Sequence, residues 1–222
     1  MATRRPKRRV RAPDETRGKL LNAAFQEMYR HGFQAASLET ILARAGVTKG
    51  ALYHHFPDKA ALGYAVVEEV VRGLMLTRWL GPLEQDEGDA VTGLRRVLRQ
   101  RAENLTSRET ELGCPLNNLA QEMSPLDQRF RRAIDAVFEA WRAGFAQVLE
   151  RGQAEGTVRQ DVDPNQVAAF IVAAAEGSYG LAKGANSAAM LKGNLTVLEL
   201  FVEGLREGGK GKVVIDPSPP SG

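Results

Sequence analysis

The chain is poor in the residues that disulfide, metal and nucleophile chemistry needs. It has one cysteine, Cys114, and three histidines, His31, His54 and His55. A single thiol can form neither an internal disulfide nor a multi-cysteine zinc site, and it fits a reducing cytoplasm. His54 and His55 are adjacent; on a helix they point about 100° apart and cannot chelate one ion together. No Ser/His/Asp arrangement stands out, and no glycine-rich loop of the phosphate-cradling kind occurs. No metal, no cofactor and no enzymatic activity are therefore expected. No apolar run approaches the roughly 20 residues of a membrane span, so no membrane partner is expected. The N-terminus is basic but no apolar stretch follows it, which argues against a secretory signal.

What the chain does have is a charge asymmetry. The net charge over 222 residues is only +3. Residues 1–57, however, carry 11 Lys/Arg against 4 Asp/Glu, and residues 58–222 carry 19 against 23. A basic head on a neutral-to-acidic body is the electrostatic footprint of nucleic-acid binding. On charge alone, a solvated basic face is an equal account. Residues 1–13 hold six Lys/Arg and no acid except at their boundary with Asp14. They are expected to be a disordered basic arm, able to follow DNA phosphates or simply to solubilise.

Beyond the arm the apolar spacing is helical throughout. Leu20, Leu21, Ala24, Phe25 and Met28 form a first stripe, which Gly32 stops. Ser37 can cap a second helix carrying Leu38, Ile41 and Leu42, although Thr40 in place of Glu leaves the capping box incomplete. Gly46-Val47 makes a turn, and Thr48 caps a short third helix, Lys49 to His55. A fourth begins at Pro57-Asp58 and reaches about Thr77, and Gly81 to Asp89 reads as loop. Further helices are expected from Thr92 to about Ser107, from Cys114 to Met123, from Ser124-Pro125 to Gly152, from Asp163-Pro164, and from Ala188 to Leu205. Proline directly after the cap is favoured in a first helical turn. The expected fold is all-α with about nine helices. It divides into the arm (1–13), a three-helix DNA-binding head (14–60), a helical-bundle body for effector binding and dimerisation (61–207) and a flexible tail (208–222). Val213-Val214-Ile215 is too short for a strand.

Ser37 to Lys59 reads SLETILARAGVTKGALYHHFPDK. Ala43 and Ala45 permit close helix approach, Gly46 supplies the turn, and Val47 and Leu52 seal a small core, as a helix-turn-helix requires. The candidate DNA contacts are Ser37, Thr48, Lys49, Gly50, Tyr53, His54 and Lys59. Thr48 caps a helix end that attracts phosphate. Lys49 can reach a phosphate or a guanine edge. Gly50 lets the helix sink into the major groove, Tyr53 and His54 carry polar tips for phosphates, and Lys59 can neutralise a neighbouring one. These residues resemble the DNA-binding head of the TetR family of bacterial regulators. The likeness runs through Phe33-x-x-x-Ser37, Ala45-Gly46-Val47, Lys49-Gly50-x-Leu52-Tyr53-x-His55-Phe56 and Lys59-x-x-Leu62, over residues 14–65. It implies a dimeric, all-helical repressor on a palindromic operator of double-stranded DNA, with a divergent ligand-binding body.

The last two helices are the candidates for the homodimer face, with Phe170, Ala174, Leu195, Leu198 and Phe201 on their stripes. Some of these must equally serve the chain's own core. Gly113-Cys114-Pro115-Leu116-Asn117-Asn118-Leu119 resembles a Gly-Cys-x-x-x-Asn-Leu element. That element occurs in a branch of TetR-type regulators that includes repressors of reductases and responders to aldehydes, acrylate-like compounds and other electrophiles. Cys114 falls at a helix N-terminus, a position that favours the thiolate. Lys183 is its candidate partner, and Asn117, Trp141 and Tyr179 are candidate effector contacts. Three readings stay open. Cys114 can be an electrophile or redox sensor, a lining residue of a pocket for a non-covalent hydrophobic ligand, or a buried structural residue. An architectural DNA-binding protein without an effector would explain the head but not a body of this size.

Overall fold

A computed structural model describes residues 13–84 and 88–208. The expected basic arm, apart from Pro13, the acidic segment at 85–87 and the tail beyond residue 208 lie outside the described residues. Twelve α-helical segments are present among those described: α1 (Pro13–Ala35), α2 (Leu38–Ala45), α3 (Lys49–His55), α4 (Lys59–Ala65), α5 (Arg72–Trp79), α6 (Gly81–Glu84), α7 (Ala90–Glu103), α8 (Ser107–Leu112), α9 (Pro115–Met123), α10 (Gln128–Ala154), α11 (Pro164–Ala185) and α12 (Ala188–Glu203). The only pairing of β type among them is an isolated bridge, Val158 to Arg206.

The nine expected helices are all there. The fourth comprises α4 and α5 joined by a π-helical stretch, Val66–Val71, while α6 and α8 are additional short pieces. Side-chain caps explain the starts. Ser37, Thr48, Asp58, Asp163 and Ser187 each accept a bond from a backbone N–H of the first turn, satisfying donors that the helix itself cannot. Two starts differ from the pattern. Asp89, not Thr92, caps α7 and takes the Thr92 N–H at 3.0 Å. Asp127 accepts from the N–H groups of Arg129 and Phe130 and so starts α10 three residues beyond Pro125. In both places a carboxylate outcompetes the weaker signal nearby.

The helices fall into two compact units. The first is the chain up to Met75 with Leu112–Phe138. Its core is Leu20, Ala24 and Met28 of α1, Ile41, Leu52, Phe56, Leu62, Val66, Val67, Leu116, Leu119 and Phe130, all buried. Gly63 lets aromatic rings close over α4: a Cβ there would stand 2.5 Å from Phe33 and 2.7 Å from Phe130. The second unit is Leu76–Glu111 with Glu139–Gly222. There α12 packs along α7 and α11, and Trp79, Leu94, Leu98, Trp141, Phe145, Leu191 and Leu195 are buried.

Candidate functional site

The reading head is set by the turn between α2 and α3. Gly46 has φ 64 and ψ 38, a left-handed conformation that costs other residues about 1–2 kcal/mol. Its N–H bonds the Ala43 carbonyl at 3.3 Å and that of Val47 bonds Leu42 at 3.2 Å, the paired closure of a Schellman motif. The Thr48 hydroxyl then accepts from Ala51 N–H at 3.2 Å and starts α3 at once. Leu52 and Phe56 point into the core. The opposite side of α3 presents Lys49, Gly50, Tyr53 and His54 to solvent, with Thr48 at its start. Tyr53 is 44% exposed, high for an aromatic ring, and the Lys49 ammonium lies 5.9 Å from its ring centroid. Ser37 is only half-exposed; besides its capping bond it donates to Glu39 at 3.0 Å.

Lys59, expected at a phosphate, also makes contacts within the head. Its ammonium donates to the Gln34 carbonyl at 3.0 Å and sits 5.1 Å from the Phe33 ring centroid. It therefore holds α4 to the end of α1. His55 is half-buried beside Phe56. Lys19 of α1 and Arg44 of α2, with Asn22 and Gln26, line a surface groove in the head.

A second feature of this unit is a brace between α1 and α9. At Gly32 (φ 80, ψ 167) α1 departs from helical geometry. The break deprives the next amides of intrahelical acceptors, and the Glu122 carboxylate takes both, Phe33 N–H and Gln34 N–H, each at 2.8 Å. A Cβ at Gly32 would lie 2.7 Å from Glu122 Oε2. At the other end of α9, the Tyr29 hydroxyl donates to the Gly113 carbonyl at 2.5 Å. Sequence reasoning missed Glu122, because nothing local links it to residues almost ninety positions away.

Cys114 is the N-cap residue of α9, as its place before Pro115 suggested. It is 5% exposed, and its Sγ lies 3.9 Å from Met75 Sδ. Asn117, half-buried, accepts from Gln121 at 3.5 Å. Lys183, Trp141 and Tyr179 belong to the second unit. Lys183 is exposed on α11. Trp141 is fully buried, its ring centroid 4.5 Å from that of Trp79.

Tyr179 joins a buried ionic cluster that sequence reasoning did not find. Arg101 donates to Glu109 at 2.5 Å and to the Tyr179 hydroxyl at 2.8 Å, and Arg78 donates to Glu109 at 2.9 Å. Burial alone would raise the Glu109 pKa. The Thr106 hydroxyl bond and the charges of Arg101 and Arg78 outweigh it and hold the carboxyl below the usual range.

Two of the expected dimer residues face inward. Leu195 and Leu198 are 1% and 5% exposed and pack within their own unit. The exposed large apolar side chains of α11 and α12 are Phe170 (53%), one of the expected residues, with Leu181 (62%), Met190 (41%), Val197 (66%) and Leu200 (64%). Ala174 and Phe201 are partly exposed beside them, with the Phe201 ring tilted against that of Phe170, 5.0 Å between centroids.

Residues 20–66 match the bacterial regulatory proteins of the tetR family, and residues 90–203 match the tetracyclin repressor-like C-terminal domain. The chain belongs to the TetR family. Its relatives include the transcriptional regulator AcuR of Cereibacter sphaeroides, 31% identical over 74% of each chain. The HTH-type transcriptional repressor DhaR of Mycobacterium sp. strain GP1 is 30% identical over 72% of this chain and 78% of its own. Among solved structures, the reduced form of Escherichia coli NemR superposes with a TM-score of 0.73 at 26% identity, covering 83% of this chain and 95% of NemR. This TetR-family chain is thus a DNA-binding transcriptional regulator with a helix-turn-helix head, from a family whose members typically dimerise. No helix among its described residues is long and apolar enough to cross a membrane.

Proposed function

We propose that the protein is a homodimeric cytoplasmic repressor that sits on a palindromic operator and leaves it when a small-molecule effector binds the body. The observation that carries this reading is the solvent face of α3. Thr48, Lys49, Gly50, Tyr53 and His54 are presented outward on a helix whose other side is locked by Leu52 and Phe56. That is the geometry of a recognition helix in a major groove. One such head touches few base pairs, so specificity requires two. The exposed Phe170, Leu181, Val197 and Leu200 offer a second copy an apolar face on α11 and α12. The head then corresponds to residues 14–60, the effector and dimer body to 61–207, and repression rather than activation follows the naming of DhaR.

A non-covalent effector is favoured over thiol chemistry because Cys114 is buried against Met75. The thiol reading retains one support, the position of Cys114 at the start of α9, together with the likeness to NemR. A DNA-release assay decides between them. Full-length protein on an operator selected from random duplexes is challenged with electrophiles, oxidants and hydrophobic ligands, using wild type and Cys114→Ser. Release by a non-reactive ligand in both proteins is the expected result. Release only by electrophiles, and only from wild type, would establish the thiol reading. No release by any compound would leave an architectural DNA-binding protein.

A further inference from the structure

Among the buried donors of the second unit without a protein acceptor, two adjoin the same tryptophan ring. Trp141 Nε1, on a residue with 0% exposure, has none, and neither does Nε of Arg101, itself 8% exposed. A buried unpaired N–H costs about 1–3 kcal/mol, more on a charged group, so such atoms mark places that a ligand or water completes. The two belong to one cluster. Trp79 lies 4.5 Å from Trp141, ring to ring, and the Arg101 guanidinium lies 5.8 Å from the centre of Trp79. The carboxylate bonded to Arg101 is already committed: Glu109 takes bonds from Arg78, Arg101 and both the N–H and hydroxyl of Thr106. The Tyr179 hydroxyl is held by Arg101. The cluster is therefore left with donors to offer, one of them on a permanent cation, beside a pair of flat apolar rings.

We infer that Arg101 and Trp141 bind the oxygens of a small organic carboxylate whose apolar part lies against Trp79, and that this is the effector site of the regulator. A guanidinium pairs with a carboxylate through parallel N–H bonds, and burial strengthens such a charge-assisted bond. Neither donor atom is open to water, so a ligand can reach them only by parting the side chains packed over them. Such a ligand has different affinities for the closed and the parted arrangement, which is what an effector needs in order to shift an equilibrium. The gating role rests on the effector reading proposed above; the binding site does not.

Trp79 and Trp141 are the only tryptophans in the chain, so fluorescence excited at the red edge, where tyrosine does not absorb, reports on this cluster alone. Full-length protein is titrated with benzoate and with butyrate, and in parallel with benzamide and butyramide, before and after addition of operator DNA. The expected result is a saturable fluorescence change with a carboxylate that its amide does not give. Trp141→Phe, which removes the N–H and keeps a ring, and Arg101→Lys each weaken it about tenfold, the loss of one good hydrogen bond. Circular dichroism establishes that both variants are folded. No saturable change with either carboxylate, or an equal response to the amides, overturns the site. DNA release by some other compound without any fluorescence change overturns it too, while leaving the effector-gated reading intact. A carboxylate-specific change without DNA release keeps the site and overturns its gating role.

Discussion

Tyr53 and Lys59 show how much a side chain's surroundings decide its role. Tyr53 is exposed, and its ring meets the Lys49 ammonium on the same outward face rather than the core of the head. Tyr53→Ala is therefore expected to weaken operator binding by about tenfold or more, the worth of one or two phosphate or base contacts, with an unchanged urea midpoint. Anisotropy titration and urea denaturation check both halves. Lys59→Ala should weaken DNA binding and also lower stability, because Lys59 ties α4 to the Gln34 carbonyl; an unchanged midpoint would contradict that. The outward face of α3 was legible in the sequence, since one turn, one cap and two apolar anchors fix it locally. The role of Lys59 was not. Its partner is the Gln34 carbonyl in the last turn of α1, where no intrahelical donor remains, and the approach of α4 to it is not written in nearby residues.

At the level of the helix, α9 acts as a strut. It is bonded to α1 at both ends, through Tyr29 to Gly113 and through Glu122 to the amides of Phe33 and Gln34. Those amides lie just before the Ser37 cap of α2. Glu122→Ala should lower DNA affinity several-fold and speed hydrogen exchange at Phe33 and Gln34. Glu122→Gln, which keeps one acceptor oxygen, should fall between it and wild type. Wild-type exchange at both amides in Glu122→Ala would show that the bonds carry nothing. Gly32→Ala should destabilise by about 1–3 kcal/mol, since the new Cβ meets both a forbidden φ and the Glu122 carboxylate. Helix positions were largely legible, because Ser, Thr and Asp caps announce them. Which side of α12 faces inward was not. The helix carries apolar residues on more than one side, and the packing of α7 along it, rather than periodicity, places Leu195 and Leu198 inside and Val197 and Leu200 outside.

For the molecule as a whole, acid stability and the proposed dimerisation are argued from named groups. In the second unit Glu199 is held below the usual carboxylate range: burial opposes this, and the bonds and charges of Arg99 and Arg95 outweigh it. Glu109 is depressed in the same direction. For a carboxyl whose folded pKa lies below its unfolded value, the stabilisation is complete above the ordinary glutamate value of 4.5 and is lost as pH falls through the lower, folded pKa. Urea midpoints should hold from pH 7 to 5 and then drop; a midpoint that rises below pH 4 would contradict this. Val197→Glu with Leu200→Glu should shift the protein toward monomer in sedimentation and weaken operator binding with it. The proposed DNA-reading dimer is tested most directly by titrating a palindromic duplex, selected by the wild-type protein, with wild type and with Lys49→Ala/Tyr53→Ala. Two chains bound per duplex, an affinity that falls with salt, and a loss of at least about tenfold in the double variant are the predicted result. Equal affinity of the two proteins, or one chain saturating each duplex, would contradict it.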